Sequence, residues 1–355
     1  MAPLVKRLKA DDRFDTILCS TGQHKEMLDQ VMSLFSLEPD IDLKIMRPGQ
    51  DLFDVTTKVM LGLRDTFEDN RPDLILVHGD TNTTFASTLT AYYCQIPVHH
   101  VEAGLRTGNL LSPWPEEGNR KLTGVLAARH YSPTVSSKQN LLDEGVDEST
   151  ISVTGNTVID ALLDVSQQLE DDERLRQTIA NKLPLLDQDK KLVLVTGHRR
   201  ENFGDGFENI CAAIATIAVR DDVQIIYPVH LNPNVQEPVN RHLRNCDNVH
   251  LIEPLGYLEF TYLMKLCHII LTDSGGIQEE APALGKPVLV MRDTTERPEA
   301  VTAGTVRLVG TDKEKIVNSV IQLLDDVEDW NTMSRSINPY GDGTACTQII
   351  EQLSL

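Results

Sequence analysis

Short apolar runs recur along this chain, each closed by a polar turn and followed by a segment with helical spacing. Residues 74–77, 97–101, 192–196, 223–229, 269–271 and 288–290 are too short for helices and carry almost no polar positions, as strands buried on both faces do. Strand and helix in regular alternation imply parallel strands joined by right-handed crossovers, hence an α/β, doubly wound architecture. At 355 residues the chain exceeds what one core usually serves, about 250 to 300 residues, so two domains are expected. The acidic, weakly apolar stretch 170–189 reads as their boundary. It leaves 1–169 as a first Rossmann-like domain, rejoined by a C-terminal helix over 337–355, and 190–336 as a second.

Between these runs the spacing predicts helices over 4–10, 23–35, 51–67, 116–128, 135–144 and 158–169, with a short strand over 16–20 and a plain connector over 39–50. In the second half the strand at 288–290 completes the sheet. Helices over 312–324 and 328–336 close the domain, and a last helix starts at Ala345.

A formal charge of −20 and a pI near 4.8 argue against a nucleic-acid surface or a polybasic membrane anchor. Six scattered cysteines without a C-x-x-C pair suggest neither a zinc ribbon nor a disulfide scaffold, so reduced thiols are expected. The chain has no run of 18 apolar residues, and its first ten residues lack the apolar centre of a signal peptide. A cytoplasmic protein without nucleic-acid or membrane partners is the expectation.

In an open parallel sheet, ligands collect at the carboxyl ends of the strands, and the polar residues of this chain gather there. The stretch 269–285 runs from a buried strand into Asp273, Ser274, Gly275 and Gly276, where the backbone can approach a ligand closely. A helix starting there would favour a phosphate by roughly 0.3 to 2 kcal/mol through its dipole and first-turn amides. Glu280, on the first turn, could take the two hydroxyls of a ribose, so a nucleoside diphosphate fits both features. An ordinary strand-to-helix connection capped by small residues would read the same way. His198 and the arginines of 292–297, Arg297 among them, surround the same rim with cationic groups despite the acidic whole. Each arginine could equally be a solvated ion pair.

Three carboxylates, Asp80, Glu102 and Glu116, leave consecutive strand-to-helix connections of the first half. Asp80 could instead cap the helix behind it, and Glu116 could complement a helix dipole at a surface turn. His99, His100 and Glu102 suggest a metal, but alternation sends the two histidines to opposite faces, so no metal site is assigned. The stretch G-D-G-F-E-N (204–209) nearly matches a dinucleotide fingerprint. It lies too far from its strand, and Asn209 stands where the third glycine belongs, so no dinucleotide is expected.

Nine motifs carry a resemblance. V-H-G-D-T (77–81), V-E-A-G-L-R-T-G (101–108), S-P-W-P-E-E-x-N-R (112–120), G-N-T-V-I-D (155–160), T-G-H-R-R-E-N (196–202), Y-P-V-H-x-N-P (227–233), L-T-D-S-G-G-I-Q-E-E-A-P (271–282), R-D-T-T-E-R-P-E (292–299) and N-P-Y-G-D-G (338–343) closely resemble the non-hydrolysing UDP-N-acetylglucosamine 2-epimerases of bacterial type. The match runs nearly the whole chain. It implies two Rossmann-like domains facing a cleft in the glycosyltransferase-B arrangement, a homodimer, and no cofactor. The implied activity is the interconversion of UDP-GlcNAc and UDP-ManNAc for cell-envelope polysaccharide synthesis.

By this resemblance Asp80, Glu102 and Glu116 form the acid/base set with Arg120 nearby, and His198 belongs to the catalytic group. His198, Ser274, Gly275 and Gly276 would hold the diphosphate, and Glu280 the ribose. An allosteric UDP-GlcNAc site of the family resembles Gln23 and His24, with Glu26 replacing a glutamine found in some members. The family's opening strand and G-T-R-P-E turn would precede M-A-P-L (1–4). A start at an internal methionine is expected, because a missing central strand would leave its neighbours unpaired; the alternative is a binding protein impaired by the loss. A sugar transferase of the same architecture is the other alternative.

A hydrogen on C2 of an acetamido sugar has no adjacent carbonyl, so direct deprotonation is out of reach, and without a dinucleotide there is no oxidation to create one. Elimination of UDP from C1 makes that hydrogen acidic. Proton transfer by positioned side chains then contributes about 10² to 10⁴ in rate.

Overall fold

The computed structural model describes residues 1–22, 25–47 and 49–353. Gln23 and His24 therefore lie outside the described residues. The chain divides into two compact units, one formed by Met1–Ala161 with Tyr340–Leu355 and the other by Leu162–Pro339. The division falls within the helix Thr157–Asp171.

In the first unit β1 (Cys19–Ser20) and β2 (Ile41–Asp42) form a parallel pair. The strand expected over 16–20 is thus only its last two residues, and the connector expected over 39–50 contains a strand. Asp40 explains both: its carboxylate accepts the Leu18 N–H at 2.6 Å, and its own N–H reaches the Leu18 carbonyl, which fixes the two segments together before the ladder begins. β3 (Ile75–His78), β4 (Val98–Val101), β5 (Arg129–Ser132) and β6 (Ile151–Val153) form a second parallel sheet in that order. Val55, Val59, Leu63 and Phe67 of the helix Leu52–Asp69 pack with Val77 and Val98 in one core. A second cluster joins Leu4 and Leu8 of the first helix to Ile349 and Ile350 of the last, around Val101 and Tyr131.

The second unit is one six-stranded parallel sheet of β7 (Lys191–Thr196), β8 (Val223–Pro228), β9 (Val249–Ile252), β10 (Ile269–Thr272), β11 (Val288–Val290) and β12 (Val306–Leu308). Their order is β12-β11-β10-β7-β8-β9. The order reverses between β7 and β10, and a crevice opens at the carboxyl ends of such a pair. β10 is buried at every position, as its uniformly apolar sequence requires. Val193 and Val195 pack with Phe207, Ile210 and Ile214 of the helix Asp205–Ile217. β12 adds a strand beyond the expected last one. It stayed hidden because Arg307 interrupts its apolar pattern, and in the fold that side chain pairs with Asp329 at 2.9 Å.

The stretch 170–189 holds the helix Glu173–Ala180, capped by Asp172 and burying only Ile179. One apolar anchor in eight residues leaves almost no periodic signal. Among the described residues no helix is long and apolar enough to cross a membrane.

Candidate active site

In the first unit the exits of β3 and β4 are locked to each other. Gly79 follows β3 with φ +66°, and a Cβ there would stand 3.0 Å from Glu102 Oε2, so only glycine lets that carboxylate approach. Glu102 itself follows β4 at φ +63°, a left-handed conformation that costs a non-glycine residue about 1 to 3 kcal/mol and turns its side chain out of the strand's alternation. Asn156 Nδ2 donates to Glu102 Oε1 at 3.0 Å, and His78 Nε2 stands 3.8 Å from Oε2. His100 Nε2 donates to the Gly79 carbonyl at 2.7 Å, and Thr84 Oγ1 donates to the His78 carbonyl at 2.6 Å. The His78 and Gly79 carbonyls are thereby held.

Asp80 does not cap the helix Asn82–Tyr93; Thr81 does, accepting the Thr84 N–H. The Asp80 carboxylate is free of the cap and meets Arg120 instead, at 2.9 Å from Nε and 2.6 Å from Nη2. Asn119 Nδ2 holds the Asp80 carbonyl at 2.9 Å. Both donors come from the helix Glu116–Leu126, whose second turn therefore grips the β3 exit. Glu116 opens that helix, with Oε2 buried and without a hydrogen-bond partner. Glu117, its neighbour, is fully buried and bonded to Thr107 N, Gly108 N and Arg120 Nη1, each at 3.1 Å.

In the second unit Asp273, fully buried after β10, organises the rim. Its Oδ2 accepts the N–H of His198 at 2.9 Å and of Arg199 at 2.8 Å, and Asn202 Nδ2 at 3.2 Å, tying the β7 exit to the β10 exit across the switch point. His198 stacks on His230, which follows β8, with centroids 5.2 Å apart. Gly275 is a place of close approach: a Cβ there would lie 2.9 Å from Arg297 Nη1 and 3.6 Å from Arg199 Nη2. Two guanidiniums thus converge on one bare backbone position beside Ser274.

Arg297 Nε donates to buried Glu279 at 2.7 Å, whereas Arg292 is paired with both Glu201 and Glu296. Both arginines accordingly follow the ion-pair reading, Arg297 with Glu296 3.8 Å from its Nη1 as well. The helix behind Gly276 spans only Ile277–Ala283, under two turns, so its dipole is smaller than the sequence suggested. Glu280 sits on its first turn. Burial pushes its carboxyl up to about 7, opposed by a hydrogen bond from Tyr257 at 2.8 Å and helped by the charge of Glu279.

A family model described as UDP-N-acetylglucosamine 2-epimerase matches residues 6–354. The chain belongs to this family. A relative from Escherichia coli O157:H7 with that name is 62% identical over 99% of this chain and 94% of its own length. The crystal structure of the UDP-GlcNAc 2-epimerase from Neisseria meningitidis bound to UDP-GlcNAc matches with a TM-score of 0.91 at 51% identity, covering 100% of this chain and 95% of that one. The S. aureus MnaA–UDP co-structure gives 0.87 at 42% identity, covering 100% and 92%. The fold class is α/β with two Rossmann-like units, glycosyltransferase-B-like, as the resemblance implied.

Within this epimerase frame, Asp80, Glu102 and Arg120 gather on the first unit's rim, with Glu116 one helical turn before Arg120. His198, Ser274, Gly275, Gly276, Glu280 and Arg297 gather on the second unit's. Asn119, Asn156, Glu117, Arg199 and Tyr257 are residues that sequence reasoning gave no part in the site, and Asp273, read as part of the tight exit, was given no role of its own. Asn119, Asn156, Glu117 and Arg199 lie inside the motifs that carry the resemblance, and Glu117 also stands at i,i+3 spacing to Arg120. Tyr257 and Asn156 come to the site from more than twenty residues away in sequence, and nothing local marks Tyr257.

Proposed function

We propose that the chain interconverts UDP-GlcNAc and UDP-ManNAc by inverting C2. A carboxylate of the first unit takes the C2 proton, the C–H electron pair forms the C1–C2 double bond, and the C1–O bond breaks with its pair leaving on UDP. The products, 2-acetamidoglucal and UDP, recombine when a proton is delivered to the opposite face of C2 and a phosphate oxygen adds to C1. Atoms and electrons balance without a redox step. Proton transfer to and from carbon calls for two positioned acid/base groups, and UDP must be held while the glucal exists.

The observation that carries this reading is the pair Asp80 and Glu102 on adjacent strand exits, one held by Arg120 and the other by Asn156. Membership of the epimerase family and relatives bound to UDP-GlcNAc and to UDP support it. The first unit supplies the acid/base set, with Glu116 its third member. The second supplies the UDP site: His198 and the amides of 274–276 with Arg297 for the diphosphate, Glu280 for the ribose.

A homodimer is part of the proposal. The helix Asn82–Tyr93 carries no charged residue and exposes Tyr92 and Tyr93, while Leu122 and Val125 are exposed on Glu116–Leu126. In a chain that is 24% charged, such a face fits a second copy. The cytoplasm, where UDP-sugars are made, is the proposed compartment.

Asp80→Asn and Glu102→Gln test the assignment. Each should lower turnover by about 10² to 10⁴ while UDP binding, measured by calorimetry, stays within threefold of wild type. Unchanged turnover in either variant would remove that residue from the mechanism.

A further inference from the structure

The geometry points to Glu117 as a positioning residue that sets how the Arg120 charge is shared with Asp80. The inference deepens the proposed reaction and rests on it. Glu117 has no exposed surface, yet it is surrounded by three donors. Two are the backbone N–H groups of Thr107 and Gly108, in the loop after β4, and the third is Arg120 Nη1. The remaining donors of that guanidinium, Nε and Nη2, face Asp80. One cation therefore stands between two carboxylates, a fully buried one behind it and one on the rim in front.

Such a sandwich does two things. A buried carboxylate must be compensated, so Glu117 draws Arg120 back and fixes the plane of the guanidinium. It also takes part of the Arg120 charge away from Asp80. With Glu117 neutral, the whole charge falls to Asp80, which is then held as the ion and pulled toward the arginine; a group meant to exchange protons with carbon becomes a weaker base. Other groups facing this chain of contacts are His78 on the β3 exit, Glu102 on the β4 exit, Glu116 on the same helix, and Arg106, which is committed to Glu144. Arg120 is the cation in contact with both carboxylates.

The test is a double-mutant cycle read at several pH values. Glu117→Gln should lower kcat about 10- to 100-fold with UDP affinity unchanged, and should move the acid limb of the kcat/KM profile to lower pH by at least about half a unit. Because Glu117 acts through Arg120, kcat of Glu117→Gln/Arg120→Lys should fall within about twofold of Arg120→Lys alone. Multiplying losses, or an unmoved acid limb, would mean that Glu117 merely holds the 107–108 loop, and would overturn the inference. If Glu117→Gln lacks a cooperative unfolding transition, Glu117→Asp, which keeps the charge but withdraws it by about 1.5 Å, enters the same cycle with the same criterion. Asp80→Asn separates the two levels: retained turnover there removes Asp80 from the mechanism and the ground of this inference with it, whereas lost turnover with multiplying losses in the cycle refutes only the role of Glu117.

Discussion

Glu280 sits almost out of reach of water, with Tyr257 its donor and Glu279 beside it, so its charge depends on pH in the neutral range. An unfolded glutamate ionises near 4.5 and the folded one at about 7. Between those values the folded state keeps a proton that the unfolded state has lost. Stability should therefore fall as pH rises from 4.5 to 7, by up to about 3 kcal/mol, and stay level above. Urea titrations of Glu280→Gln across that range should show the slope gone. Ribose hydroxyls donate to the ionised form, so UDP affinity should strengthen as pH passes 7; an affinity flat from pH 6 to 8 would separate Glu280 from the ribose. At this scale placement was legible in the sequence wherever an element's end sufficed, Asp80 and Glu102 at strand exits and Glu280 on a helix's first turn. It was ambiguous where neighbours share a type. Nothing in P-E-E says that Glu117 turns inward to two amides while Glu116 opens the helix, and nothing in G-D-T says that Thr81 caps and leaves Asp80 for Arg120.

Elements hold these residues through a few unforgiving contacts. Gly104, at φ +90° after β4, has the Ser137 carbonyl oxygen 2.2 Å from where a Cβ would stand. Gly104→Ala must strain the backbone and push the helix Val135–Asp143 away, and should cost at least about 3 kcal/mol in a thermal or urea unfolding measurement. The paired strands β4 and β5 set His100 opposite His130, both buried, and burial pushes them down to about 3 and about 4. Neutral in the fold and charged when unfolded at low pH, they contribute stability that is present above 6.5 and lost as pH falls toward 4. His130→Gln should flatten that acid slope by up to about 3 kcal/mol, read as the urea midpoint at pH 4.5 against pH 7. Buried strands were plain in the sequence because both faces are apolar. β2, β12 and the helix Glu173–Ala180 were not, since each offers two or three apolar positions at most and is kept in place by Asp40, by Asp329 and by the Asp172 cap.

For the whole molecule, two α/β units were expected from length and alternation, with 170–189 as their boundary; the chain passes from one compact unit to the other within the helix Thr157–Asp171. The acidic stretch at 170–189 looks like a linker in composition, yet a capped helix fills it. The exposed apolar residues of Asn82–Tyr93 and Glu116–Leu126 make a separate prediction. Leu122→Glu with Val125→Glu should halve the mass found by sedimentation equilibrium if that face joins two copies, and an unchanged mass would place the interface elsewhere. Isotope exchange tests the chemistry most directly. Incubated with UDP-GlcNAc in D₂O and no acceptor, the enzyme should return UDP-GlcNAc and UDP-ManNAc both carrying deuterium at C2. UDP-ManNAc formed without deuterium, or no exchange at all, would contradict a mechanism in which that hydrogen leaves as a proton.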